Sequence, residues 1–442
     1  MLERFSFTRP LQAKDWSRFK AYAPHVRRLL HVFDSFYPPA TSPSAFIELS
    51  RFDGQLLPKL RSLAWAEEDR NDVFPFIRLF YSTELTQLNI FFGSHYQPED
   101  VKHALSSLSM TSPNLQSIFI SELIEDVLAS ILIAPSTSNS DSNFASLRSL
   151  DLSGLDIPQT ILLHLSTRTA LKSLSLRSSG YDFSSRASPG SFASLQKLTW
   201  RISKITTEAC SYFRSLRLPQ LAEIALQLDP QIMPSQMHDI CQFVSTCGSL
   251  SSLCIHVFPL DPSWRDEGPQ AITLTDIQPL LNLRTLHHLE LLLWSFRCDD
   301  HVIISFAQAF PAIRQLRLIP PTSNRLTWIV QCTLIGLEAL SRGCPQLDDL
   351  AVHIDATSAH VLSFFDKIDH ASQARNTKLT QLCIGASRVS RPKDTAVILA
   401  ALFPNLGRIV GWFGWMPRQD PWREVEHFVL STRTSVEQAR NE

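Results

Sequence analysis

The chain repeats one short phrase thirteen times, with an apolar residue at positions 0 and 3 and, in every copy but the last, where Gly411 stands, at position 5. The clearest copies open at Leu147 (LRSLDL), Leu171 (LKSLSL), Leu250 (LSSLCI), Leu286 (LHHLEL) and Ile313 (IRQLRL). The others open at Leu60, Leu85, Leu115, Leu195, Leu221, Leu347, Leu379 and Leu406. A phrase that recurs along a whole chain predicts a stacked array, because one copy cannot bury its apolar face without neighbours. Successive openings lie 25, 30, 32, 24, 24, 26, 29, 36, 27, 34, 32 and 27 residues apart. The mean step is 346/12, about 29 residues, at the upper edge of the leucine-rich-repeat range of roughly 20–29.

A strand uses only five or six residues of such a step, which leaves room for a helix. Helical spacing of apolar residues precedes many phrases, in Met237–Thr246, His301–Phe310, Thr333–Arg342 and Asp394–Phe403. Each stretch ends at Gly248, Pro311, Gly343 or Pro404, residues that stop helices. The expected unit is therefore helix, turn, strand, loop. Stacked in register, these units predict an α/β leucine-rich-repeat solenoid, a horseshoe with a parallel inner β-sheet and outer helices. Four segments read as extended or loop: Ser178–Gly190, Pro135–Asn143, Pro259–Ala271 and Pro320–Thr327. The expected division is a helical N-terminal cap with an imperfect first repeat opening at Val26 (residues 1–55), the array (56–416) and a C-terminal capping helix (417–442). The segment Pro38–Pro43 breaks the first part from the second.

A net charge of −1 gives no global attraction to nucleic acid or to an anionic membrane, and neither is expected as a partner. The N-terminus lacks the apolar core of a signal peptide, and the longest apolar runs, such as Ala396–Phe403, fall far short of a membrane span. Eight irregularly spaced cysteines without a CxxC motif read as free thiols of a reducing compartment, the cytoplasm or nucleus.

Side chains alternate along a strand, so positions 3 and 5 pointing inward put positions 2, 4 and 6 on the concave face. That face begins with the small neutral residues Ser62, Gln87, Ser117, Ser149 and Ser173. It continues through Arg177, Lys197 and Arg201, with Lys172 and Lys204 close in sequence. Glu223, His256, His288 and Glu290 follow, then Gln315 and Arg317, then Asp349 and His353. Chemistry graded along a wall suits recognition of a polypeptide, with charges setting orientation and association rate. These charged and histidine residues are the candidate partner-binding set. Any exposed sheet face also needs polar residues to stay soluble. The cluster Arg177, Lys197 and Arg201 is also a candidate anion site, while Trp200 among them occupies an inward position.

Cys241, Cys247 and Cys254 with His238 and His256 raise the question of zinc. Their spacing matches no finger, and the expected unit scatters them over helix, turn and strand, so no metal site and no cofactor is expected. Phosphate loops, GxSxG and HExxH are absent, and no catalytic residues are expected. The acidic clusters Glu67–Asp69 and Asp299–Asp300 read as solvated charge at unit edges. Of the pair His287–His288, only His288 should face the groove.

The segments Leu340–Leu350 (LSRGCPQLDDL) and Phe403–Leu406 (FPNL) resemble the cysteine-containing leucine-rich repeats of F-box proteins. The stretch Phe7–Leu29 (FTRPLQAKDWSRFKAYAPHVRRL) is similar to the segment that follows the F-box in basidiomycete F-box-like proteins. The resemblance implies that the repeats recruit a protein substrate while an F-box docks on a Skp–cullin ubiquitin ligase. The residues before Phe7 do not accommodate an F-box, with its Leu-Pro opening and apolar helix. Ligase docking is therefore expected only where an F-box lies upstream. The asparagine that usually ends the repeat phrase is replaced by Leu155, Ser179, Phe258 and Trp294 in the clearest copies.

Overall fold

The computed structural model describes residues 6–31, 42–67, 73–92, 97–121, 127, 144–178, 192–229, 231–257, 271–293, 296–319, 332–357, 376–385, 387–411 and 420–441. Every phrase forms a strand, and each begins two residues after the phrase opens. In chain order the strands among the described residues, three of them (β1, β13 and β15) outside the thirteen phrases, are β1 (Arg28–His31), β2 (Ser62–Glu67), β3 (Gln87–Phe92), β4 (Ser117–Ile120), β5 (Ser149–Asp156), β6 (Ser173–Ser178), β7 (Lys197–Ile202) and β8 (Glu223–Leu228). Then come β9 (Ser252–Val257), β10 (His288–Leu292), β11 (Gln315–Arg317), β12 (Asp349–Ala351), β13 (Asp355–Ala356), β14 (Gln381–Cys383), β15 (Arg388–Val389) and β16 (Arg408–Val410). All but β13 and β15 join one 14-stranded sheet in chain order, and those two pair with each other. The fold is the α/β leucine-rich repeat.

Register follows the phrase. Position 2 faces position 2 from strand to strand, as in Ser117↔Ser149↔Ser173 and in Ser252↔His288↔Gln315↔Asp349↔Gln381↔Arg408. The imperfect repeat opening at Val26 obeys the same register, pairing Arg28 with Ser62. The thirteen phrase-opening residues are all buried, and so are position 3 and 5 residues such as Leu150, Leu152, Leu289 and Leu291.

Contacts divide the chain into two compact units, Met1–Phe183 with Ala187–Arg201, and Ser184–Arg186 with Ile202–Glu442. In the first, helix Gln159–Ser166 buries Ile161, Leu162 and Leu165. Strand β5 bulges between Leu152 and Asp156, and Gly154 lies on the previous repeat, where a Cβ would overlap the Ser121 carbonyl. In the second unit the anticipated helices are all present: Pro234–Ser245, Asp300–Ala309, Leu334–Gly343 and Pro392–Leu402. The last packs on helix Pro421–Asn441, which buries Trp422, Val425 and Val429.

A fourth core position, three residues before each phrase opens, carries no residue-type signature. It is buried in every copy, whether Leu57, Ser82, Phe144, Arg168, Cys247, Phe310, Cys344 or Asn376. Here the chain turns from the outer segment into the strand. The phrase-opening amide donates to the carbonyl three residues back, as Leu250 does to Cys247 and Leu347 to Cys344. The copy at Leu379 departs from this, since its amide donates instead to the Asn376 Oδ1. Polar residues at this position also tie repeats together. Ser112 Oγ donates to the Ser82 carbonyl, Arg168 to the Phe144 carbonyl, and Asn376 Nδ2 to the Cys344 carbonyl.

Reading Asp299–Asp300 as solvated edge charge needs correction. Asp299 caps its own helix by accepting from the Val302 amide. Asp300 caps the next repeat's helix, accepting from the Thr333 amide and hydroxyl (both 2.7 Å) and from the Gly336 amide (3.0 Å). Unpaired amides at a helix N-terminus attract a carboxylate, and the repeat geometry brings one within reach. The cluster Glu68–Asp69 and, apart from Ser178 and Ala271 at their edges, the four expected loop segments lie outside the described residues, as do residues 38–41, Ser179, Phe258 and Trp294. Among the described residues no helix is long and apolar enough to cross a membrane.

Candidate functional site

Positions 2, 4 and 6 leave the sheet on the face opposite its buried leucines, so side chains of neighbouring repeats stand side by side there. In the first unit Lys197 is exposed, while Arg177 and Arg201 are half-buried. The Arg177 guanidinium lies 3.3 Å from the Asp156 carboxylate, which offsets part of the positive charge expected there. Trp200 is buried and donates its indole N–H to Ser178 Oγ, so it is a core residue. The same face carries the contacting rings of Phe91 and Phe119.

In the second unit Glu223 is exposed at the start of β8. The polar residues of the next strands form a linked group. Glu290 sits between two imidazoles, with His256 Nε2 3.2 Å from its Oε1 and His288 Nε2 3.5 Å from its Oε2. The other ring nitrogen of His288 is 3.3 Å from Ser252 Oγ. His256 and then His288 hold the Glu290 carboxyl far below the usual carboxylate range, and Arg317 adds to this from the neighbouring strand. Arg317 and Glu290 are register partners, and Arg317 also binds Asp349 through Nε (3.1 Å) and Nη2 (2.5 Å). That pairing raises the Arg317 pKa.

His353 occupies a different environment from the rest of the set. Its ring rests on Gly385, where a Cβ would come within 2.5 Å of the imidazole, and Gly385 has φ +57°. Burial lowers the His353 pKa to about 4, so it is a neutral, packed residue. His287 is exposed at position 1 and His288 stands on the open face, as strand alternation requires.

Cys241, Cys247 and Cys254 fall on helix Pro234–Ser245, just after it and on β9, the scatter expected of the repeat unit. Cys241 and Cys247 are buried, and burial raises both thiols. Cys254 instead stands at position 4 of β9, in register with Glu290 of β10. Its Sγ, a ring nitrogen of His288 and a carboxylate oxygen of Glu290 lie within 4.8 Å of one another. The signal for this grouping is the alignment of equal phrase positions in adjacent repeats. On the helical side a cavity of about 520 Å³ is lined by residues including Thr273, Gln278, Arg297, Asp299 and His301.

No protein-family profile and no curated protein matches the chain. Among solved structures it is similar to a leucine-rich-repeat protein of Leptospira interrogans (TM-score 0.45, 14% identity, covering 89% of this chain and 80% of that one). It is also similar to an internalin of Listeria monocytogenes (TM-score 0.41, 17% identity, 83% of this chain and 88% of that one). A third is a chain of the Rad7 and Elc1 complex of yeast (TM-score 0.34, 14% identity, 81% of this chain and 79% of that one). The register of the parallel strands, and not these likenesses, establishes the fold.

Proposed function

We propose that the chain is a protein-binding leucine-rich-repeat scaffold, the substrate-recruiting part of an F-box-type ubiquitin ligase adaptor. The observation that supports binding is the division of labour within each phrase. Positions 0, 3 and 5 are consumed by the core, while positions 2, 4 and 6 present a face whose chemistry changes along the chain. Serines at Ser62, Ser117, Ser149 and Ser173 give way to Lys197 and Arg201, and these to the His256–Glu290–Arg317–Asp349 group. Charged pairs of this kind set orientation and association rate, with nearby apolar contacts supplying affinity. The substrate is a polypeptide met by Arg177, Lys197, Arg201, Glu223, His256, His288, Glu290, Arg317 and Asp349, with His353 packed against Gly385 beside them. In this reading residues 56–416 form the binding array, flanked by caps at 1–55 and 417–442, and the protein works in the cytoplasm or nucleus without catalysis.

The ligase half of the proposal rests on Phe7–Leu29 and on the cysteine-containing repeat Leu340–Leu350. It is tested by pull-down of purified Skp–cullin scaffold with the product of the full-length transcript. Stoichiometric retention supports the adaptor. No retention sinks ligase docking and leaves a stand-alone interaction module.

A further inference from the structure

We infer that Cys254, His288 and Glu290 form a binding site for a transition-metal dication of zinc's class, with the fourth coordination position turned to the open face of the sheet. The site is assembled by register. Cys254 and Glu290 are Cα partners across β9 and β10, and so are Ser252 and His288. Neighbouring strands lie about 4.8 Å apart, and side chains two residues apart share a face. Donors at positions 2 and 4 of two consecutive repeats therefore converge.

The donor types are those zinc takes: a thiolate, an imidazole and a carboxylate. A thiolate selects for zinc-like ions over magnesium or calcium, which prefer all-oxygen sets. The charges also close, because one thiolate and one carboxylate neutralise a dication. With metal–ligand distances of about 2.0–2.3 Å, donor atoms of a tetrahedral site lie roughly 3.3–3.7 Å apart. The three here lie within 4.8 Å, so small side-chain rotations close the set.

The surroundings hold the donors in place. Ser252 Oγ engages Nδ1 of His288, which leaves Nε2 directed at Glu290. Histidine ligands ordinarily have their second nitrogen fixed in this way. His256 engages Oε1 of Glu290 from outside, leaving Oε2 on the side of His288. His256 is thus a positioning residue. Cys254 and His288 are half-buried, and this gives an ion a path to the site. This inference holds whether or not the open face also binds a polypeptide.

The test is a titration of the reduced, metal-free full-length protein with Co²⁺, followed by displacement with Zn²⁺. A thiolate-to-cobalt charge-transfer band, with intense tetrahedral visible bands, is the expected result. Cys254→Ser should abolish the charge-transfer band. His288→Ala and Glu290→Gln should weaken binding by more than about 100-fold, and His256→Ala by about 10–100-fold, as befits a supporting contact. Cys383→Ser, which alters another half-buried cysteine, should leave the spectrum unchanged. Far-UV circular dichroism of the metal-free variants separates loss of the site from loss of fold, with the near-isosteric Glu290→Gln as the variant least able to perturb the sheet. A wild-type spectrum without the thiolate band, or a band that survives Cys254→Ser, would overturn the inference.

Discussion

Asn376 offers a quantitative test of how these repeats are tied together. The residue is fully buried, and its side chain makes four hydrogen bonds. Nδ2 donates to the carbonyls of Cys344 (2.7 Å) and Leu347 (2.9 Å), and Oδ1 accepts from the amides of Lys378 (2.7 Å) and Leu379 (2.8 Å). In Asn376→Ala the Leu379 amide can adopt the turn bond found in the other copies, and the Cys344 carbonyl keeps the Leu347 amide at 3.2 Å. The Leu347 carbonyl and the part-buried Lys378 amide lose their partners. At about 1–3 kcal/mol for the buried carbonyl and about 1 kcal/mol, the low end of that range, for the part-buried amide, the expected cost is about 2–4 kcal/mol. Asn376→Asp preserves shape but sets a carboxylate oxygen against two carbonyls, which should cost about 3–5 kcal/mol at neutral pH. Burial raises the pKa of that carboxyl, so the gap between the two variants should narrow on acidification. Urea unfolding followed by circular dichroism measures the global loss. Hydrogen exchange over residues 344–351 and 376–385 measures the local loss, because an array can open one repeat at a time. Unchanged exchange and an unchanged urea midpoint in Asn376→Ala would refute the reasoning, as would a fully stable Asn376→Asp.

Two further substitutions probe other parts of the second unit. Asp300→Ala removes the cap on helix Leu334–Gly343 and should cost about 1–3 kcal/mol in thermal unfolding, with faster exchange at Ile335 and Gly336. His353 is kept neutral in the fold, with a pKa of about 4, while the unfolded chain titrates near 6.5. Between those pH values only the unfolded state binds the proton, so the histidine's contribution is complete above pH 6.5 and shrinks as pH falls towards 4. The loss should approach about 3 kcal/mol, and His353→Gln should flatten the stability profile over that window. An equal acid sensitivity in His353→Gln would remove His353 as the cause.

The repeat phrase was legible because a strand stacked on both sides needs leucine-like residues at fixed spacing, whatever it binds. Position 2 of each copy could be aligned without coordinates, and the register Ser252↔His288↔Gln315 follows that alignment. The position three residues before each phrase was not legible. A buried turn accepts Phe310, Cys344, Ser112 or Asn376 equally, provided that a polar side chain finds a carbonyl there. Asp300 was read as solvated charge because its partners, Thr333 and Gly336, lie a whole repeat away. Cys254 was missed as a partner of His288 and Glu290 for the same reason. Linear spacing rules look for ligands along one segment, whereas this fold brings them together across two.

The claim that most depends on experiment is that the open face, and not the helical side, meets the partner. Quantitative affinity capture should compare wild type with two face-specific variants of matched charge change. One carries Lys197→Glu and Arg201→Glu together with Arg317→Glu on the open face; the other carries Lys20→Glu, Lys102→Glu and Lys393→Glu on helices. Both should keep the far-UV spectrum of the wild type. The prediction is a protein recovered with wild type and with the helical variant at equal yield, and lost at least tenfold from the open-face variant. A partner that survives the open-face reversals and disappears with the helical ones would contradict the account.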